Sequence, residues 1–152
     1  MSVTVLGVGN PIMGDDAVGL EVLKALRETR GDDGVEYVDG GTAGMELIPV
    51  VQDASRLLVL DAVVGDVPGA VVRLSGDQLP RLLSAKKLSP HQVGLLDVLT
   101  SARLLGGEPE MVEVVGVAPE SVELRVGMSQ CVAAAIDEAV AAASAVLDDW
   151  LA

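Results

Sequence analysis

Short continuous apolar runs alternate along this chain with stretches in which apolar residues recur every three or four positions. Val3, Val5, Leu6 and Val8 form the first run, rich enough in β-branched residues to suit a strand covered on both faces. Gly7, Gly9, Asn10, Pro11 and Gly14 break it and force a tight loop. Val18, Val22 and Leu26 then set a helical spacing, predicting a helix over 16–29 that ends near Arg30 and Gly31. Asp15 and Asp16 stand at its start, where the positive end of the helix dipole favours a carboxylate that can cap free amides. Val35 to Val38 reads as a second strand, closed by Asp39-Gly40-Gly41-Thr42-Ala43-Gly44. A shorter helix follows from Met45 to about Gln52, with Pro49 past its first turn. Arg56 to Asp61 is a third strand that ends in an acid.

The rhythm then changes. Residues 64–69 are too few for a crossover helix, so Ala70 to Leu74 should return as an antiparallel strand. Residues 75–90 carry polar and chain-breaking residues with little periodicity. Ser89-Pro90-His91 is a helix start, with Ser at the cap and Pro in the first position. Leu95, Val98, Leu99, Ala102 and Leu105 mark one face of that helix. Met111 to Val117 is the last strand, followed by Ala118-Pro119-Glu120. The final helix, about Gly127 to Trp150, should bury Val132, Ile136, Val140, Ala143 and Leu147. This order predicts a single α/β domain over 1–152. It is a three-layer sandwich with a mostly parallel, twisted five-stranded sheet, one antiparallel strand, and helices on both faces.

Such sheets bind ligands beyond the carboxyl ends of their strands. Asp16, Asp39, Asp61 and Glu120 all follow strands running the same way and should gather there. His91 joins them by a separate argument. The antiparallel strand carries the chain to the opposite edge, and a helix feeding another parallel strand must begin at the carboxyl edge. Residues 75–90 must therefore climb back; about 50 Å of reach against a strand of about 20 Å makes this easy.

Composition narrows the chemistry. The formal charge of −13, with no basic cluster, disfavours nucleic acid as a partner. Phe is absent, and Tyr37 and Trp150 are the only aromatics, so stacking platforms are nearly lacking. The longest uncharged run, Met1 to Gly14, is too short for a bilayer span and lacks the basic start of a secretory signal. A cytoplasmic protein with no membrane partner is the economical expectation. Cys131, the only cysteine, excludes an intrachain disulfide and is expected to be a small buried hydrophobe.

One imidazole and two carboxylates from separate loops, His91, Asp16 and Asp61, make a workable ligand set for a divalent transition metal. On spacing alone, the same three also read as cap and turn residues. A nucleotide-binding reading starts from Gly7-Val8-Gly9 and an acid, Asp39, after the second strand. It falters because Ile12 occupies the third glycine position and two acids would face the pyrophosphate.

The motifs Leu6-Gly7-Val8-Gly9-Asn10-Pro11 to Gly14-Asp15-Asp16, Asp39-Gly40-Gly41-Thr42-Ala43-Gly44-Met45-Glu46-Leu47 and Asp61-Ala62 stand in sequence. Ser89-Pro90-His91-Gln92-Val93-Gly94-Leu95 and Val115-Gly116-Val117-Ala118-Pro119-Glu120-Ser121 complete the series. Across nearly its whole length the chain resembles the [NiFe]-hydrogenase maturation endopeptidases, which remove a carboxyl-terminal tail from the hydrogenase large subunit after nickel insertion. The resemblance implies that Asp16, Asp61 and His91 are the metal-contacting and catalytic trio. The first position is Glu in some members and Asp here, one methylene shorter. Asp39, Gly40, Gly41 and Thr42 resemble the segment that helps choose the substrate. The implied partner is the large-subunit precursor, and the implied metal is nickel carried by it, although other divalent transition metals suit the same ligands. A metal-dependent checkpoint that binds the precursor without cutting it is the alternative.

Overall fold

The computed structural model describes residues 2–31, 33–63, 65–75 and 98–152. Five strands form one sheet: β1 (Val3–Val8), β2 (Glu36–Gly41), β3 (Arg56–Ala62), β4 (Val71–Ser75) and β5 (Met111–Val117). Their spatial order is β2-β1-β3-β5-β4, with β4 antiparallel to β5 and every other neighbouring pair parallel. The helices are α1 (Val18–Arg30), α2 (Ile48–Asp53), α3 (described over 98–104), α4 (Gln130–Ala134) and α5 (Ile136–Leu151).

The alternation of side chains along a strand divides the core into two layers. Val3 and Val5 of β1 with Leu58, Leu60 and Ala62 of β3 pack against Val22 and Leu26 of α1 and Ala143 and Leu147 of α5. Leu6 and Val8 with Leu57 and Val59 pack instead against Val51 of α2 and Val98 and Ala102 of α3. The central strands are therefore buried on both faces, which is why they read as unbroken apolar runs. Truncating a fully buried leucine such as Leu58 to Ala should cost about 2–5 kcal/mol. The expected α/β sandwich is the observed one.

Several local expectations change. The segment before α1 is a 3-10 turn, Gly14–Ala17, so Asp16 lies inside a turn and does not cap the helix. β2 continues through Asp39, Gly40 and Gly41, accommodated by a register shift against Gly7 and Val8. Pro49 sits in the first two positions of α2, after a 3-10 turn over Met45–Leu47, where its missing amide costs nothing. β4 pairs with β5 and not with β3, so the chain leaves a slot that β5 later fills. Leu105 is 68% exposed, because α3 ends at 104 and the apolar spacing outlasts it. The last helix is interrupted at Ala135. Val132, Ala143 and Leu147 are buried as expected, Ile136 and Val140 only partly, and Ala139, Val146 and Trp150 complete that face. The expectations for 76–97, including the helix start at Ser89-Pro90-His91 and the face position of Leu95, lie outside the described residues.

Candidate active site at the carboxyl edge of the sheet

The loop after β1 folds back on itself so closely that a Cβ on Gly9 would lie 2.2 Å from the Asp16 carbonyl oxygen. No other residue fits there. The Asn10 amide donates to Asp16 Oδ2 at 3.0 Å, the Ile12 amide donates to Asn10 Oδ1, and the Asp16 amide donates to the Met13 carbonyl. Asp16 is thereby wrapped in its own loop and only 5% exposed. Two residues into α1, a Cβ on Gly19 would come within 2.4 Å of the carbonyl oxygens of both Val8 and Leu60. The start of α1 is thus pressed onto the ends of β1 and β3, and the turn bearing Asp16 packs against β3.

Asp61 is the penultimate residue of β3, 2% exposed, opposite Gly116 of β5. Its Oδ1 accepts from the Ala62 amide at 2.7 Å. A Cβ on Gly116 would lie 2.2 Å from Val63 Cγ2, so glycine there leaves room for the chain to turn beside Asp61. Asp16 and Asp61 therefore sit, both buried, at the carboxyl ends of adjacent parallel strands. His91 lies outside the described residues.

Asp39 and Thr42 are exposed on the flank of this edge. Asp39 Oδ1 accepts from the Gly41 amide at 3.0 Å, and the Gly41 carbonyl accepts from the Gly9 amide at 2.9 Å, tying the two glycine loops together. A Cβ on Gly40 would approach Leu6 Cδ1 at 2.8 Å and the Gly7 carbonyl oxygen at 3.1 Å. Glu120, exposed beyond β5, accepts from the Cys131 thiol at 3.3 Å. Cys131 is thus only partly buried, packed against the core with its thiol turned to a carboxylate. The Glu120 hydrogen bond, with burial and the same negative charge, pushes that thiol's pKa up.

Asp15 has a role that reading the chain alone does not reveal. It is fully buried, and its carboxylate accepts four hydrogen bonds: from the Ser129 amide (2.6 Å) and hydroxyl (2.7 Å), and from the amides of Glu120 (2.9 Å) and Ser121 (3.0 Å). Burial pulls its pKa up, but the hydrogen bonds from Ser121, Ser129 and Glu120 outweigh that and hold it below the usual value. The donors lie more than a hundred positions away in the chain, so no local pattern announces them. The glycine loop has also spent the Asn10 amide on Asp16, which further weakens a pyrophosphate reading. Among the described residues no group of three or more His, Cys, Asp and Glu side chains is arranged to hold a metal, and no helix is long and apolar enough to cross a membrane.

Fold and site together define a doubly covered, mostly parallel α/β protein with buried acids at the carboxyl edge. Residues 20–146 match the hydrogenase maturation protease family, and the chain belongs to it. It is 41% identical over 143 residues to the hydrogenase 2 maturation protease of Escherichia coli K12, a match spanning 92% of this chain and 87% of that protein. The solved hydrogenase maturating endopeptidase HybD from Escherichia coli superposes with a TM-score of 0.89 at 40% identity, covering 98% of this chain and 93% of its own. The [NiFe] hydrogenase maturation protease HybD from Thermococcus kodakarensis gives a TM-score of 0.81 at 28% identity, over 96% and 99% of the two chains.

Proposed function

We propose that this protein is an endopeptidase that removes the carboxyl-terminal tail of a [NiFe]-hydrogenase large-subunit precursor once nickel has been inserted. The observation that carries the reading is the pair of acids, Asp16 and Asp61, both under 6% exposed at neighbouring strand ends in a chain of this family. With His91, they grip the nickel that the precursor itself carries, so a nickel-free precursor presents nothing to hold. Once held, the ion would supply Lewis-acid polarisation of the peptide carbonyl, and Asp16 or Asp61 would take the proton of the attacking water. Gly40 and Gly41, flanked by Asp39 and Thr42, let the backbone of an extended peptide lie close to the rim. The site acts in the cytoplasm, where the precursor is completed.

The test is to incubate nickel-loaded precursor with wild-type protein and with Asp16→Asn, Asp61→Asn and His91→Ala variants, following the shortened product by gel. Wild type should cut and each variant should not. Normal processing by all three variants would end the proposal, and a precursor bound but never shortened would leave only the checkpoint role.

A further inference from the structure

Val122, Leu124 and Val126 are 41%, 76% and 82% exposed, and neighbouring Ile12 is 51% exposed. Single exposed apolar residues are ordinary, but four on one linked structure are not. Their backbone is held firmly. The Arg125 amide donates to the Ile12 carbonyl and the Gly14 amide to the Arg125 carbonyl, each at 2.8 Å, and Met13 pairs with Arg125 in a parallel bridge. The Asp15 carboxylate fixes both ends of the segment, at Glu120 and Ser121 on one side and Ser129 on the other. A segment anchored at its ends and its middle, yet holding its apolar side chains in water, leaves a hydrophobic gain that only a partner can realise.

The anchorage also says which partner. The loop to which this segment is laced, Ile12 to Asp16, ends in a carboxylate of the proposed cleavage site. We infer that Ile12, Leu124 and Val126 form a docking strip for an apolar segment of the precursor polypeptide adjoining the scissile bond. The inference rests on the proteolytic reading above. Because the strip is locked before binding, little of the binding free energy is lost to ordering it.

The test uses the full-length protein and nickel-loaded precursor. Leu124→Ser with Val126→Ser should raise KM about 10-fold with kcat and thermal melting unchanged. The control is Leu104→Ser with Leu105→Ser, a pair 82% and 68% exposed at the end of α3, which should leave KM at the wild-type value. An unchanged KM in the strip variant overturns the inference. So does an equal rise in both variants, or a wild-type dimer in sedimentation that the strip variant dissolves without a change in KM. A wild-type protein that binds precursor but cuts nothing strikes the proteolytic reading instead, and the strip is then judged by the same comparison of Kd.

Discussion

The two ends of the sheet hold acidic side chains by opposite means. At the amino end of β2, Asp33 meets a full positive charge. Arg30 Nε lies 2.5 Å from Asp33 Oδ2, its Nη1 lies 2.9 Å from Asp148 Oδ1, and the same nitrogen donates to Ser144 Oγ at 2.7 Å. The Tyr37 hydroxyl donates to Asp33 at 3.0 Å; burial first, and then that carboxylate, push its pKa up to about 12. At the carboxyl end, Asp15 is met by amide and hydroxyl dipoles, which hold a carboxylate in place without cancelling its charge. Asp16 and Asp61 are buried nearby. One end is a charge-paired staple between α1, β2 and α5. The other concentrates acidic groups, as the proposed reception of a cation-bearing partner requires.

The largest effect should separate the two ends by activity. Replacing Asp16 or Asp61 with Asn is expected to lower precursor processing by at least about 100-fold while the urea midpoint moves little. Arg30→Met at the other end should leave the processing rate per folded molecule unchanged. A variant at Arg30 that stopped cleavage, or one at Asp61 that did not, would erase the functional distinction between the ends.

Asp15→Asn comes next, and its effect should appear in stability. The amide keeps one acceptor but turns N–H groups toward the amides of Glu120, Ser121 or Ser129, so about 2–3 kcal/mol should be lost in urea unfolding. The sign of the pH dependence follows from the lowered pKa. The unfolded chain, with Asp15 near 3.8, binds the proton more readily than the folded one. The stabilisation is complete above that value and is lost as pH falls through the folded value beneath it. Asp33 behaves in the same sense, since hydrogen bonds from Arg30, Val35 and Tyr37 outweigh the upward effect of its burial. Wild type should therefore lose stability as the pH drops below about 4, and Asp15→Asn should show a shallower decline.

Arg30→Met should cost less, about 1–2 kcal/mol, even though it strips two carboxylates of a partner. Asp148 is 70% exposed and regains water, so only the Asp33 arm carries weight. Urea titrations at low and high salt would sharpen the contrast between the ends. The Arg30 contribution should shrink only modestly as salt rises, because its Asp33 pair is largely shielded from solvent, and the Asp15 contribution should hold, because its partners are uncharged.

How much of this was legible beforehand follows the range of the interactions. β1, β3 and β5 announce themselves because central strands of a covered sheet are continuous apolar runs, and Met111–Val117 matches its expected bounds. The placement of Asp16 and Asp61 on one edge follows from strand direction alone. The pairing of β4 with β5 was not legible, since the short connection after β3 fixes an antiparallel direction but not a neighbour. The strand through Asp39, Gly40 and Gly41 was hidden because glycines ordinarily break strands, and Gly40 persists here through close packing on Leu6 and Gly7. Asp15 and Asp16 look alike as letters, and only partners far along the chain separate the clasp from the proposed site residue.

The smallest effect probes the glycine pair that joins β2 to the acidic edge. Gly41 has φ +50, and an added Cβ would meet only Asp39 Oδ1, at 3.8 Å. Gly41→Ala thus carries a backbone cost without a steric one, about 1 kcal/mol in urea unfolding. Gly40→Ala is the reverse, because its φ is ordinary but its Cβ would press on Leu6 Cδ1 and the Gly7 carbonyl oxygen. If these residues serve only the fold, both variants should process precursor at the wild-type KM once corrected for the folded fraction. If an extended peptide lies against them, Gly41→Ala should raise KM by a factor of about 3, more than its own small loss of stability can explain. Such a rise would extend the substrate-receiving end of the sheet from Asp16 and Asp61 to the edge strand β2.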